Sequence, residues 1–140
     1  MKESGHAAIE LALAIGVLLL PVALVVTGFG PWSERRVAAE AVAAEGARAA
    51  VLELNLDAGV STVASITAEQ GIAPELVRMG WCGAAPALGG AGSCPLHRGA
   101  VVSITVELWT PLVITPWGPV GGLWVSAEHA EPIDLYRSLG

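Results

Sequence analysis

Between Glu10 and Glu34 the chain runs for 23 residues without a formal charge, LALAIGVLLLPVALVVTGFGPWS. No other feature restricts the possible folds so strongly. As a helix rising about 1.5 Å per residue, the stretch is roughly 34 Å long, against about 30 Å for the hydrocarbon core of a bilayer. The buried helix of a water-soluble core rarely runs so far without a charge. A transmembrane helix over residues 6–30 is therefore predicted. Pro21 would cost a helix in water about 3 kcal/mol, whereas a helix in lipid tolerates it because neighbouring groups re-satisfy the freed carbonyl. A secretory signal peptide is the competing reading. It requires a basic leader and an apolar core of about 7–15 residues, but here Glu3 offsets Lys2, the run is longer, and Glu10 stands at its start. Flanking charge does not settle orientation: Arg35 and Arg36 follow the run, and a positive-inside count places the C-terminal part inside. That conflicts with the export argued below.

Composition narrows the alternatives. The 140 residues fit a single domain beyond the apolar run. With 54% hydrophobic and 14% charged residues, the chain is too apolar to be disordered. A net charge of -6 gives nucleic-acid binding through a basic surface no support. The two cysteines supply neither a four-cysteine zinc site nor a CxxC motif.

Beyond the run, Pro31-Trp32 reads as an interfacial exit, and Ser33 as the N-cap of a second helix reaching about Leu56. Its stripe is Ala38, Val42, Gly46, Ala49, Leu52 and Leu56. Asp57 is predicted to cap a short helix that Gly71 stops. The period then changes to two. Val77, Met79 and Trp81 share one face. In AVVSITVELW, Ala100, Val102, Ile104, Val106 and Leu108 oppose Ser103, Thr105 and Glu107. A third strand, LWVSAEHA, directs Leu123, Val125 and Ala127 inward, and Trp109 and Trp124 are placed for a cross-strand pair. Pro111, Pro116 and Pro119 predict an irregular loop between these last two strands. The expected fold is α+β: an N-terminal transmembrane helix continuing into an amphipathic helix packed on a small antiparallel sheet of about three strands.

Glu10 carries the most functional information. An acid at the edge of an apolar run usually has a partner and a role. The residues before it are Gly5-His6-Ala7-Ala8-Ile9, so cleavage after Gly5 puts a new amine on His6 and makes Glu10 the fifth residue. That arrangement resembles the type IV pilin superfamily. SGHAAIELALAIGVLLLPVAL is most similar to the TadE-like pseudopilins, the minor pilins of the tight-adherence (Flp) pilus system. Looser likenesses lie in the cysteine loop, in Arg98-Gly99-Ala100-Val101-Val102, and in Ala127-Glu128, Glu131-Pro132 and Tyr136-Arg137. The resemblance implies a leader at residues 1–5, an assembly helix at 6–30 and an extracytoplasmic pilin-like domain at 31–140. It implies a prepilin peptidase cutting between Gly5 and His6, then an assembly ion pair between Glu10 and the freed amine of His6 on another subunit. Other pilins, a membrane assembly platform and an assembly ATPase are the implied partners, and the implied location is the cytoplasmic membrane, single-pass, or a pilus at the cell surface. The plainer reading of Glu10 is an acid complementing the helix dipole.

Cys82 and Cys94 enclose GAAPALGGAGS, and a disulfide between them is expected in an oxidising compartment. The sharper alternative draws Cys82, Cys94, His97 and His129 as a tetrahedral metal set, although Cys-x11-Cys is not a zinc-knuckle spacing. A Cys94–His97 nucleophile pair lacks an orienting third group, and GxSxG, HExxH, P-loop and GxGxxG contexts are absent from the sequence. The expectation is thus a non-enzymatic assembly protein without metal, cofactor or small-molecule substrate. Its alternative is an unprocessed, membrane-anchored extracytoplasmic binding module.

Overall fold

The computed structural model of the chain describes residues 4–136, with side chains 4–6, 24, 25, 27, 28, 114 and 115 not described. Two α-helices, α1 (Ser4–Glu53) and α2 (Leu56–Glu69), and a 3-10 turn at Pro74–Leu76 precede three strands. These are β1 (Val77–Trp81), β2 (Val101–Thr115) and β3 (Gly118–Pro132), antiparallel in the order β1-β2-β3. The molecule is α+β.

α1 is one helix through both Pro21 and Pro31, about 75 Å long at the usual rise. The predicted break at Pro31 does not occur. Ser33 is inside the helix, where its hydroxyl donates to the Gly30 carbonyl at 2.8 Å instead of capping a new start. Downstream, an alanine-rich sequence of high helix propensity continues the rod.

The transmembrane expectation for residues 6–30 is overturned: no helix among the described residues is long and apolar enough to cross a membrane. Residues 6–30 are not a helix of their own but part of the 50-residue rod Ser4–Glu53. The rest of the same rod carries Glu34, Arg35, Arg36, Glu40, Glu45, Arg48 and Glu53.

The C-terminal half of α1 buries Ala39, Val42, Ala43, Ala47, Ala50 and Val51 against the sheet and α2. This face is rotated from the predicted stripe, and Leu52 is 55% exposed. α1 meets two layers at once, so small residues go where backbones approach most closely. Gly46 and Gly59 form that crossing: a Cβ on Gly46 would lie 2.7 Å from Val63 Cγ2, and one on Gly59 would run into the Trp81 ring. The sheet's inner face supplies Val77, Met79, Trp81, Val102, Ile104, Val106 and Leu108, all buried, in the register Val77↔Leu108 and Trp81↔Ile104.

Two local expectations shift. The cap of α2 is Asn55, two residues before Asp57: the Asp57 N–H donates to Asn55 Oδ1 at 2.9 Å. An Asn55→Ala change is expected to destabilise the fold by about 1 kcal/mol, measured by urea unfolding. The predicted loop at Pro111–Pro119 is instead a continuous hairpin, paired out to Thr115↔Gly118.

Candidate assembly surface

Upstream of Pro31, the described side chains of α1 are exposed. Ile9, Leu11, Leu13, Ile15, Val17, Leu18, Leu19, Leu20, Val22, Val26 and Phe29 are all exposed. Consecutive residues from Val17 to Leu20 are exposed together, so the apolar surface goes round the helix and does not form one stripe. A helix apolar on all sides is the kind found buried in a larger assembly, and exposed apolar area of this extent marks an interaction site. Gly5 and His6 lie in the first turn of the helix. The first backbone N–H groups there have no intrahelical acceptor, so the Gly5–His6 bond is in the least firmly held part of α1. Met1–Glu3, most of the expected leader, and Arg137 are outside the described residues.

Glu10 is exposed between Ile9 and Leu11 and lies beyond the first turn of α1, which contains no acid. Dipole stabilisation fades within one turn, so this position weakens the plainer account of the residue. The charges that do pair in α1 are farther on: Arg36 Nε meets Glu40 Oε1 at 3.2 Å, with the Arg36 guanidinium 5.9 Å from the Trp32 ring centre.

Cys82 and Cys94 are joined as a disulfide, with their Cα atoms 5.5 Å apart. His97 Nδ1 is 3.1 Å from the Arg98 carbonyl, and His129 Nε2 is 3.3 Å from Glu131 Oε2. The set Cys82, Cys94, His97 and His129 is therefore dispersed, and among the described residues no three His, Cys, Asp or Glu side chains converge on a cation position. Glu131 is the partner of His129.

The bridged loop has a structural task that its composition does not announce. It lies along the outer edge of β1, with the Met79 N–H donating to the Ala87 carbonyl (2.9 Å) and the Trp81 N–H to the Ala91 carbonyl (2.8 Å). In return the Ala87 and Ala91 N–H groups both donate to the Met79 carbonyl, at 2.9 and 3.1 Å. An edge that would otherwise recruit another chain is closed.

A second exposed apolar element was missed because its prolines read as a loop. Beyond Thr110 and Leu123, the β2–β3 hairpin continues as an arm on which Leu112, Val113, Trp117 and Val120 are exposed, Trp117 at 94%. The available signal was the absence of charge between Glu107 and Glu128. Trp109 and Trp124 do stand opposite each other at the arm's base, but their rings find different neighbours. Trp109 covers Gly122, and the Arg78 guanidinium lies 3.9 Å from the Trp124 ring centre.

No known family, characterised protein or solved structure matches this chain. Its function has to be argued from these surfaces.

Proposed function

We propose that this protein is an assembly subunit of the pilin type, similar to TadE-like minor pilins of tight-adherence systems. In this reading a prepilin peptidase removes Met1–Gly5, and the processed chain packs laterally with other pilins through residues 6–30 of α1. The observation that carries it is the exposed, all-round apolar half of α1 with Glu10 five positions after Gly5. Burying apolar surface yields about 25 cal/mol per Å2, so a helix of this kind gains a large, non-directional attraction to similar helices. Glu10 supplies direction. An acid buried between helices is tolerated when it meets a cation, and the amine freed on His6 of an adjacent subunit is that cation. Leaving one member of such a pair alone costs roughly 3–5 kcal/mol, so subunits that are unprocessed or out of register are rejected. The Cys82–Cys94 bridge supports placing the domain in an oxidising compartment.

The deciding experiment is the intact mass of the protein isolated from its native cells. A chain lacking Met1–Gly5 supports the reading, and a chain that still begins at Met1 overturns it. Glu10→Ala is expected to leave cleavage intact while weakening association at least about tenfold, a loss of about 1.4 kcal/mol or more. Sedimentation of the processed variant checks this, and association at the wild-type level would remove Glu10 from the mechanism.

A further inference from the structure

We infer that the β2–β3 arm is a second assembly surface and that its occupant is the N-terminal part of α1 from another copy of this chain. The inference rests on the assembly reading above and adds a partner surface to it. Ile104 lies beside Gly46, while Thr110 and Pro111 lie beside Pro31, Glu34 and Arg35. β2 therefore runs toward the N-terminal end of α1, and the arm and the apolar half of the helix leave the packed domain at the same end. Between them is a notch of about 410 Å3, walled by Pro31 and Ala38 on one side and by Thr110 and Pro111 on the other. Above it the inner face of the arm continues, with Leu112 lying against Gly121. On this strip Leu112 is 52% exposed.

Charge selects the occupant. The arm has no formal charge between Glu107 and Glu128, and α1 has none between Glu10 and Glu34. A charged partner laid on the arm would lose hydration without compensation, whereas the uncharged helix loses none. Trp117 at the tip supplies a large apolar contact of the kind that anchors interfaces. Because helix and arm leave at one end, copies packed side by side in parallel bring the arm of each level with the helix of its neighbour.

The test uses the processed chain, lacking Met1–Gly5, in a dilution series in mild detergent. A photoreactive benzoylphenylalanine in place of Trp117 is expected to form adducts with residues 7–29 of a second copy, mapped by mass spectrometry. The double variant Leu112→Ser, Trp117→Ser is expected to weaken self-association about tenfold with an unchanged unfolding midpoint, since both side chains are exposed. Adducts elsewhere, or wild-type association of the double variant, overturn the inference and leave the assembly reading standing. Unchanged association together with lost binding to phosphatidylcholine vesicles assigns the arm to a lipid surface, and likewise overturns it. A wild-type chain that stays monomeric throughout the series sinks the assembly reading and this inference together.

Discussion

Gly59→Val is expected to destabilise the packed domain by about 3 kcal/mol. A Cβ at this position would overlap the Trp81 ring and come within 2.7 Å of the Gly46 carbonyl oxygen. One of these neighbours is backbone and the other is an aromatic ring that is 2% exposed, so no rotamer change relieves the clash. The two helices must separate, which opens the contact of Val42, Ala43 and Val63 with the sheet. Overpacking commonly costs about 1–3 kcal/mol, and a clash with backbone belongs at the upper end. For a domain of about 100 residues that is a fall of roughly 10–20 °C in Tm. Gly46→Ala is the informative control. Its Cβ meets Val63 Cγ2 at 2.7 Å, a methyl group that can rotate, and the next contact, with Ile104 Cδ1, is an ordinary 3.5 Å. Its loss should be clearly smaller. Circular dichroism melts of the two variants check the order, and a Gly59→Val protein melting within a few degrees of wild type would rule out this helix crossing.

Removing the disulfide by Cys82→Ser with Cys94→Ser is expected to cost about 3 kcal/mol, the chain-entropy value for a loop of roughly this length. The consequence extends beyond entropy. The loop donates to and accepts from the backbone of Met79 and Trp81, and its glycine-rich sequence has little side-chain packing to hold it there once untied. Freed from its cover, β1 presents an open edge to other chains. Urea unfolding should show the lower stability, and light scattering near the midpoint should show aggregation that the bridged protein lacks. Hydrogen exchange at the Met79 and Trp81 amides separates the two effects. Amides that stay as protected as in the bridged protein would show that the loop holds the edge without its bridge.

Periodicity was legible where one face is buried and the other is wet. Val102, Ile104, Val106 and Leu108 are buried while Ser103, Thr105 and Glu107 are half-buried on the other face, as a period of two requires. Val77, Met79 and Trp81 were legible for the same reason. The arm was not, because proline was taken as a loop signal. β1 pairs with β2 only as far as Leu108, so at Pro111 β2 has a free edge and its missing N–H costs no ladder bond there. Pro119 is in β3, itself an edge strand.

The candidate site divides in the same way. The proposed roles of Gly5, His6 and Glu10 rest on their spacing along one chain. The membrane-crossing expectation read residues 6–30 as a helix of their own, whereas they are part of one 50-residue helix, and no helix among the described residues is long and apolar enough to cross a membrane. The sequence by itself determined the alternating strand faces, the alanine-rich helix and the pair of cysteines close enough along the chain to bridge. Each follows from local covalent geometry and the period at which side chains meet water. Only the tertiary structure decided that α1 continues through Pro31, that Gly46 and Gly59 meet, that the bridged loop seals β1, and that the uncharged arm leaves beside the uncharged helix. Those outcomes depend on which distant backbones come together, and local periodicity does not encode that.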